Sequence, residues 1–172
     1  MSDTLMMVIA IILAAILMFV VPLMTTADRN DDATQLAVQT AASNFVNEVR
    51  TKGKITQADY DNLLESLTAT GNTYNMEIQV KLIDENAAKK SLQEVNKQGE
   101  NMYTLESFYT IQKALEDKGV YICKEGDVVI VKVKNNSATI ADQLRNFFYT
   151  VTGNDSYKIS AEYSGIVTTN GK

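Results

Sequence analysis

The feature that most constrains this chain is Leu5–Met24, LMMVIAIILAAILMFVVPLM, a run of twenty residues with no charge and no Asn, Gln, Ser or Thr. As a helix it spans about 30 Å, the thickness of a bilayer's hydrocarbon core. It gives way abruptly to TTADRNDD. Three readings fit such a run: a removable address, a membrane anchor, or the surface through which copies assemble. A cleaved secretory signal normally opens with a basic segment and carries a shorter apolar stretch. Here MSDT contributes only Asp3, and Thr25-Thr26-Ala27 is a poor small-residue cleavage site. The cleaved signal is therefore the least favoured of the three. Charge does not orient the span, because only Arg29 lies close to it.

The polar sequence that follows is not a break in the helix. Val38, Ala41, Ala42, Phe45 and Val49 recur at helical spacing. Gln39, Thr40, Asn44, Asn47 and Glu48 occupy much of the rest, and Gly53 is placed to end the run. Pro22 falls near the end of the apolar stretch, where a membrane helix tolerates a kink. The pattern predicts one long helix, greasy in its first half and amphipathic in its second.

Leu5–Pro22 and the amphipathic continuation to Lys52 resemble the type IV pilin-like superfamily, including its Tad-type relatives. Members carry an apolar N-terminal helix of this length with a Pro near its end, and its amphipathic half packs on a small sheet domain. The family's acidic residue near the start of this helix has Asp3 as its stand-in here. The resemblance implies a subunit stored in the membrane that polymerises through this helix. It also implies that Asp3 pairs with a neighbouring chain's amino terminus. Small Ala10, Ala14 and Ala15 permit close helix approach.

The remainder is of ordinary domain size. Thr56 with Asp59 resembles a capping box, and Tyr60, Leu63, Leu64 and Leu67 follow at helical spacing. LTATGNTYNMEI and FYTVTGNDSYKIS each read as a helix stopped at Gly (Gly71, Gly153) before a Tyr-led strand. Tyr74, Met76, Ile78, Val80 and Leu82 alternate as a half-buried strand. ENAAKKSLQEVNKQGEN is a polar excursion. Thr104 is placed to cap a helix with Phe108, Ile111 and Leu115 inward, closed by Gly119. VYICK-EGD-VVIVKVK reads as a hairpin turned at Gly126. A helix follows with Ile140, Leu144, Phe147, Phe148 and Val151, then a last strand with Tyr157, Ile159, Ala161 and Tyr163. Lys132 and Lys134 share a strand face with Val128 and Ile130, a face partly exposed or met by another subunit.

Little in the chain points to chemistry. It has no His, which removes the usual triads, the commonest metal ligand and the commonest neutral-pH base. Cys123 stands alone in a valine-rich run and reads as core. The net charge of −5 comes with no basic block, against a nucleic-acid partner. In DRNDD, Asp28, Asn30 and Asp32 mimic the opening of a calcium loop. The positions that should be Gly and a bidentate Glu are Ala33 and Gln39, so a polar collar at the membrane boundary is the better reading. Carboxylates Asp59/Asp61 and Glu116/Asp117 diverge on their helices. No anion-cradling loop follows the first strand, where DENAAKK stands. Asn135-Asn136-Ser137 and Asn154-Asp155-Ser156 match the glycosylation triplet, a pattern common by chance.

The expected fold is α+β: residues 1–53 as an N-terminal membrane and assembly helix, and residues 54–172 as a globular head. The head's antiparallel sheet has either the ferredoxin-like βαββαβ arrangement or a pilin-type order with added helices. The expected function is a structural, non-enzymatic filament or pseudopilus subunit, inserted in the membrane first and displayed at the cell surface afterwards. Its partners would be other copies, membrane lipid and a pilus or secretion machinery, with no cofactor and no nucleic acid. The residues expected to carry assembly are Asp3, Leu5, Ile9, Ala10, Ile12, Ala14, Ile16, Phe19 and Pro22. The main alternative is a static single-span component of such a machine with a ferredoxin-like domain. A membrane-tethered enzyme or ligand-binding domain is the third class.

Overall fold

The computed structural model describes residues 2–84, 103–149 and 158–171. Helix α1 (Ser2–Lys52) is continuous over 51 residues, about 75 Å in length. Its second half buries Asp31, Thr34, Val38, Ala42, Phe45, Val46 and Val49. These positions recur every three or four residues, which places them on one stripe. Ala41 lies at the margin of that stripe. The helix ends as its sequence requires: the Gly53 N–H donates to the Val49 carbonyl (2.8 Å), and Gly53 holds the left-handed φ of 68°.

A three-residue strand, β1 (Lys54–Thr56), precedes helix α2 (Gln57–Thr68). Thr56 and Asp59 form a full capping box: Thr56 Oγ1 accepts from Asp59 N (3.2 Å), and Asp59 Oδ2 accepts from Thr56 N (3.1 Å). Next come strand β2 (Tyr74–Ile83), strand β3 (Tyr103–Glu106), helix α3 (Phe108–Lys118) and strand β4 (Val120–Ile122). Strand β5 (Val128–Asn135), helix α4 (Ile140–Tyr149) and strand β6 (Ser160–Ile166) complete the chain. Gly71 and Gly119 take the expected left-handed conformation.

Four strands form one antiparallel sheet in the order β3-β2-β5-β6. Its inner face, with Ile78, Val80, Val129, Val131 and Val133 all essentially sealed, packs on α1 and α2 to make the core. Each such side chain is worth about 1.5–3 kcal/mol of burial. On the outer face Lys132 stands between Glu77 and Glu162 across three strands, with Lys132 Nζ 3.5 Å from Glu162 Oε1. That face is partly exposed, as Lys132 and Lys134 suggest, although Ile130 on it is only 7% exposed.

Three sequence readings are corrected. The head is not a βαββαβ ferredoxin-like unit, because the strand after α3 never enters the main sheet. Strand β4 pairs instead with β1, through Lys54↔Ile122 and Thr56↔Val120. The β4–β5 hairpin is absent for the same reason: both edges of β5 are taken, by β2 over eight residue pairs and by β6 over seven. Thr104 does not cap a helix but lies in β3, and α3 begins only after Ser107. The proposed excursion, Val151, Gly153, the second glycosylation triplet and Tyr157 lie outside the described residues.

Candidate functional site

The first half of α1 projects free of the head. None of its most apolar stretch is buried. All nine residues singled out by sequence lie on this helix and are exposed, Phe19 by 75%. Pro22 has no N–H to offer the Met18 carbonyl. Just beyond it, Thr25 Oγ1 donates to the Val21 carbonyl (3.0 Å) and Thr26 Oγ1 to the Pro22 carbonyl (2.9 Å). Hydroxyls turned back onto their own helix leave little polar surface, so the chain is compatible with hydrocarbon slightly past Met24.

The second half is held rigidly on the sheet's β6 edge. Gln35 Nε2 donates to the Ser160 carbonyl (2.7 Å), while Gln35 Oε1 accepts from Ser160 N (3.0 Å). Fifteen residues later Arg50 Nε donates to the Ile166 carbonyl (2.9 Å). Those helix residues rise about 22 Å and the six strand residues about 20 Å, so helix and strand run side by side. Between the clamps Gly165 lets the helix come close: a Cβ there would lie 2.9 Å from Val46 Cγ1 and collide with Arg50 Cδ. The Arg50 carbonyl, an orphan of the last helical turn, accepts from Thr168 N (3.0 Å) and Thr168 Oγ1 (3.1 Å).

The end of α1 is locked to the next elements. Lys52 Nζ lies 2.7 Å from Asp59 Oδ1 and 3.2 Å from Glu48 Oε2. Burial alone would raise the Asp59 carboxyl, but the hydrogen bonds from Lys52 and Thr56 outweigh it and hold the group below the usual carboxylate range. The bond to Asp59 is likewise the largest influence raising Lys52. The tail folds back under this corner, with Cys123 N donating to the Gly53 carbonyl (2.8 Å) and Gly171 N to the Cys123 carbonyl (3.1 Å).

Where α1 leaves the head there is a cleft of about 580 Å³. Leu23, Ala27 and Asp31 line it from α1, Asn72 from the α2–β2 turn, and Thr139 and Ile140 from the start of α4. Asp31 is buried, and its Oδ2 accepts from Thr139 Oγ1 (2.9 Å). Thr139 also caps α4: its Oγ1 accepts from Asp142 N (3.1 Å), and its N–H donates to Asp142 Oδ2 (3.2 Å). One hydroxyl therefore joins α1 to α4. At the start of α4 Ile140 is 68% exposed, and Ala141 is buried.

Among the described residues, Asp59 and Asp61 do not come together as a reactive pair. Asp59 belongs to the Lys52 bridge, and Asp61 accepts from Gln57 Nε2 (2.9 Å). Among the described residues no three His, Cys, Asp or Glu side chains come together to hold a metal. Cys123 is buried, and desolvation with Asp127 nearby pushes its thiol up to about 12. Asn135 is 5% exposed and its Oδ1 accepts from Ser137 N (2.9 Å), so the first glycosylation triplet is closed in the folded chain.

Asp31, Gln35, Arg50, Thr139 and Gly165 matter to this junction and were not singled out by sequence. Asp31 had a legible signal, since the buried stripe extends backwards through Thr34 to it. Gln35 had none, being one polar residue among many. Compared with known proteins, the chain matches no protein-family model, no curated protein and no solved structure.

Proposed function

We propose that this chain is a structural subunit of an extracellular filament or pseudopilus, of the type IV or Tad-type pilin-like kind, polymerising through the first half of α1. One observation carries the reading. A single unbroken helix is half built into a folded head and half a fully exposed apolar rod. Such a rod needs apolar surroundings at all times, and two are available: lipid before assembly, and the same helices of other copies afterwards. A rigid junction turns helix packing into fixed placement of the heads, which a polymer requires and a simple anchor does not. The clamps at Gln35 and Arg50 supply that rigidity. The reading gives the chain no catalytic step and no cofactor. The static-anchor alternative drew part of its support from a ferredoxin-like head, and the β3-β2-β5-β6 order withdraws that part.

The test is photo-crosslinking in producing cells. A benzophenone-bearing residue replacing Ile12 should yield a ladder of covalent multimers of this chain. Crosslinks solely to lipid or to unrelated proteins would exclude assembly through α1.

A further inference from the structure

Leu23 and Ile140 line the same cleft although they are far apart in sequence. Leu23 belongs to the apolar run, while Ile140 opens α4 with its side chain exposed. We propose that this end of the head docks on the membrane surface. The start of α4 and the α2–β2 turn meet the headgroups of a zwitterionic bilayer, Ile140 sits among them, and the cleft receives a headgroup. The inference rests on the membrane-stored state proposed above, and names its lipid contact.

Length sets the placement. The apolar run spans about 30 Å and leaves no slack against a hydrocarbon core of the same thickness. The head cannot be lifted away on a spare stretch of helix, because α1 is continuous through the junction. Leu23 lies in the last turn of the run, so groups lining a cleft with it stand at the hydrocarbon boundary. Asp31 lies about 12 Å further along the helix, within the headgroup layer.

The chemistry of the lining fits that depth. Leu23, Ala27 and Ile140 line it with apolar surface, and the side-chain amides of Asn30 and Asn72 offer hydrogen bonds to a headgroup. Among the described lining residues there is no Lys or Arg. Docking therefore does not call for anionic lipid.

The chain contains no Trp, so any Trp introduced is the sole indole fluorophore. The full chain carrying Ile140→Trp is reconstituted in phosphatidylcholine vesicles, with and without bromine on the acyl chains near the glycerol. Ile140→Trp should lose about half of its emission in the brominated vesicles, as expected of an indole at interfacial depth. Leu13→Trp, mid-span, should be quenched by lipid brominated deeper in the chain. Lys118→Trp, on the last turn of α3 near the far end of the head, should not respond. Quenching of Leu13→Trp without quenching of Ile140→Trp would overturn docking and leave the membrane reading intact. No quenching at either position would remove the membrane reading, and this inference with it. Quenching at Ile140 that needs added phosphatidylglycerol would overturn the zwitterionic assignment.

Discussion

The Gln35 side-chain amide and the Ser160 backbone exchange two hydrogen bonds, of 2.7 and 3.0 Å, as two residues of neighbouring strands would. A helix side chain thus occupies the place of the strand that would otherwise extend the sheet beyond β6. An open strand edge is a template for unwanted pairing, so the contact both fastens α1 and closes the sheet.

Replacing Gln35 with Ala removes both bonds and leaves the Ser160 groups to water. The expected loss is about 1–2 kcal/mol, seen as a lower thermal midpoint by circular dichroism of the detergent-solubilised chain. Gln35→Glu keeps the acceptor but sets a carboxylate against the Ser160 carbonyl, and should be no better than Ala. A midpoint unchanged in both variants would mean that the clamp contributes nothing.

Gly165 is there for space. Gly165→Val places branched carbons against Val46 and Arg50, at an expected cost of about 1–3 kcal/mol. Arg50→Ala in the same chain should relieve part of the clash, so the double-mutant cycle should show coupling. Strict additivity would contradict the close approach of helix and strand.

The Lys52–Asp59 bridge gives stability a defined pH dependence. The Asp59 carboxyl titrates below its ordinary value of 3.8 in the folded chain. Its contribution is therefore complete above that value and is lost as pH falls through the lower folded one. Lys52 is raised above 10.5, so its contribution is complete below 10.5 and is lost as pH rises through its folded value. Asp59→Asn should lower the midpoint at neutral pH and flatten its fall below about pH 4. An unaltered acid limb would show that other carboxylates control it.

Cys123 should resist modification. With its thiol pushed up to about 12 and buried, it is neither ionised nor reachable near neutral pH. A maleimide should label the native chain at least about 100-fold more slowly than the urea-unfolded chain, because the thiolate is the reacting form. Equal rates would place Cys123 outside the core.

What was legible in sequence follows the range of the interactions concerned. The apolar run, the α1 stripe, the Thr56–Asp59 cap and the alternation in β2 each depend on residues a few positions apart, and each stands where periodicity put it. The fate of β4 depends on competition. Gly126 and Asp127 are good turn residues, but β2 and β6 hold both edges of β5, and β1, three residues long, had no pattern to announce it. Thr104 and Ser107 are both competent caps, and pairing of Thr104 with Leu82 across β2–β3 decided between them. The junction cleft joins residues as far apart as Leu23 and Ile140, which no local pattern connects.

The central claim is that the exposed half of α1 is an assembly surface. The most direct measurement is electron microscopy of material sheared from producing cells, prepared without detergent and labelled with antibody to this chain. The account predicts labelled filaments, lost when Ala10 and Ala14 are both replaced by Trp to push neighbouring helices apart. Absence of filaments, with the intact chain confined to the detergent-soluble membrane fraction, would contradict it and make Leu5–Met24 a fixed anchor.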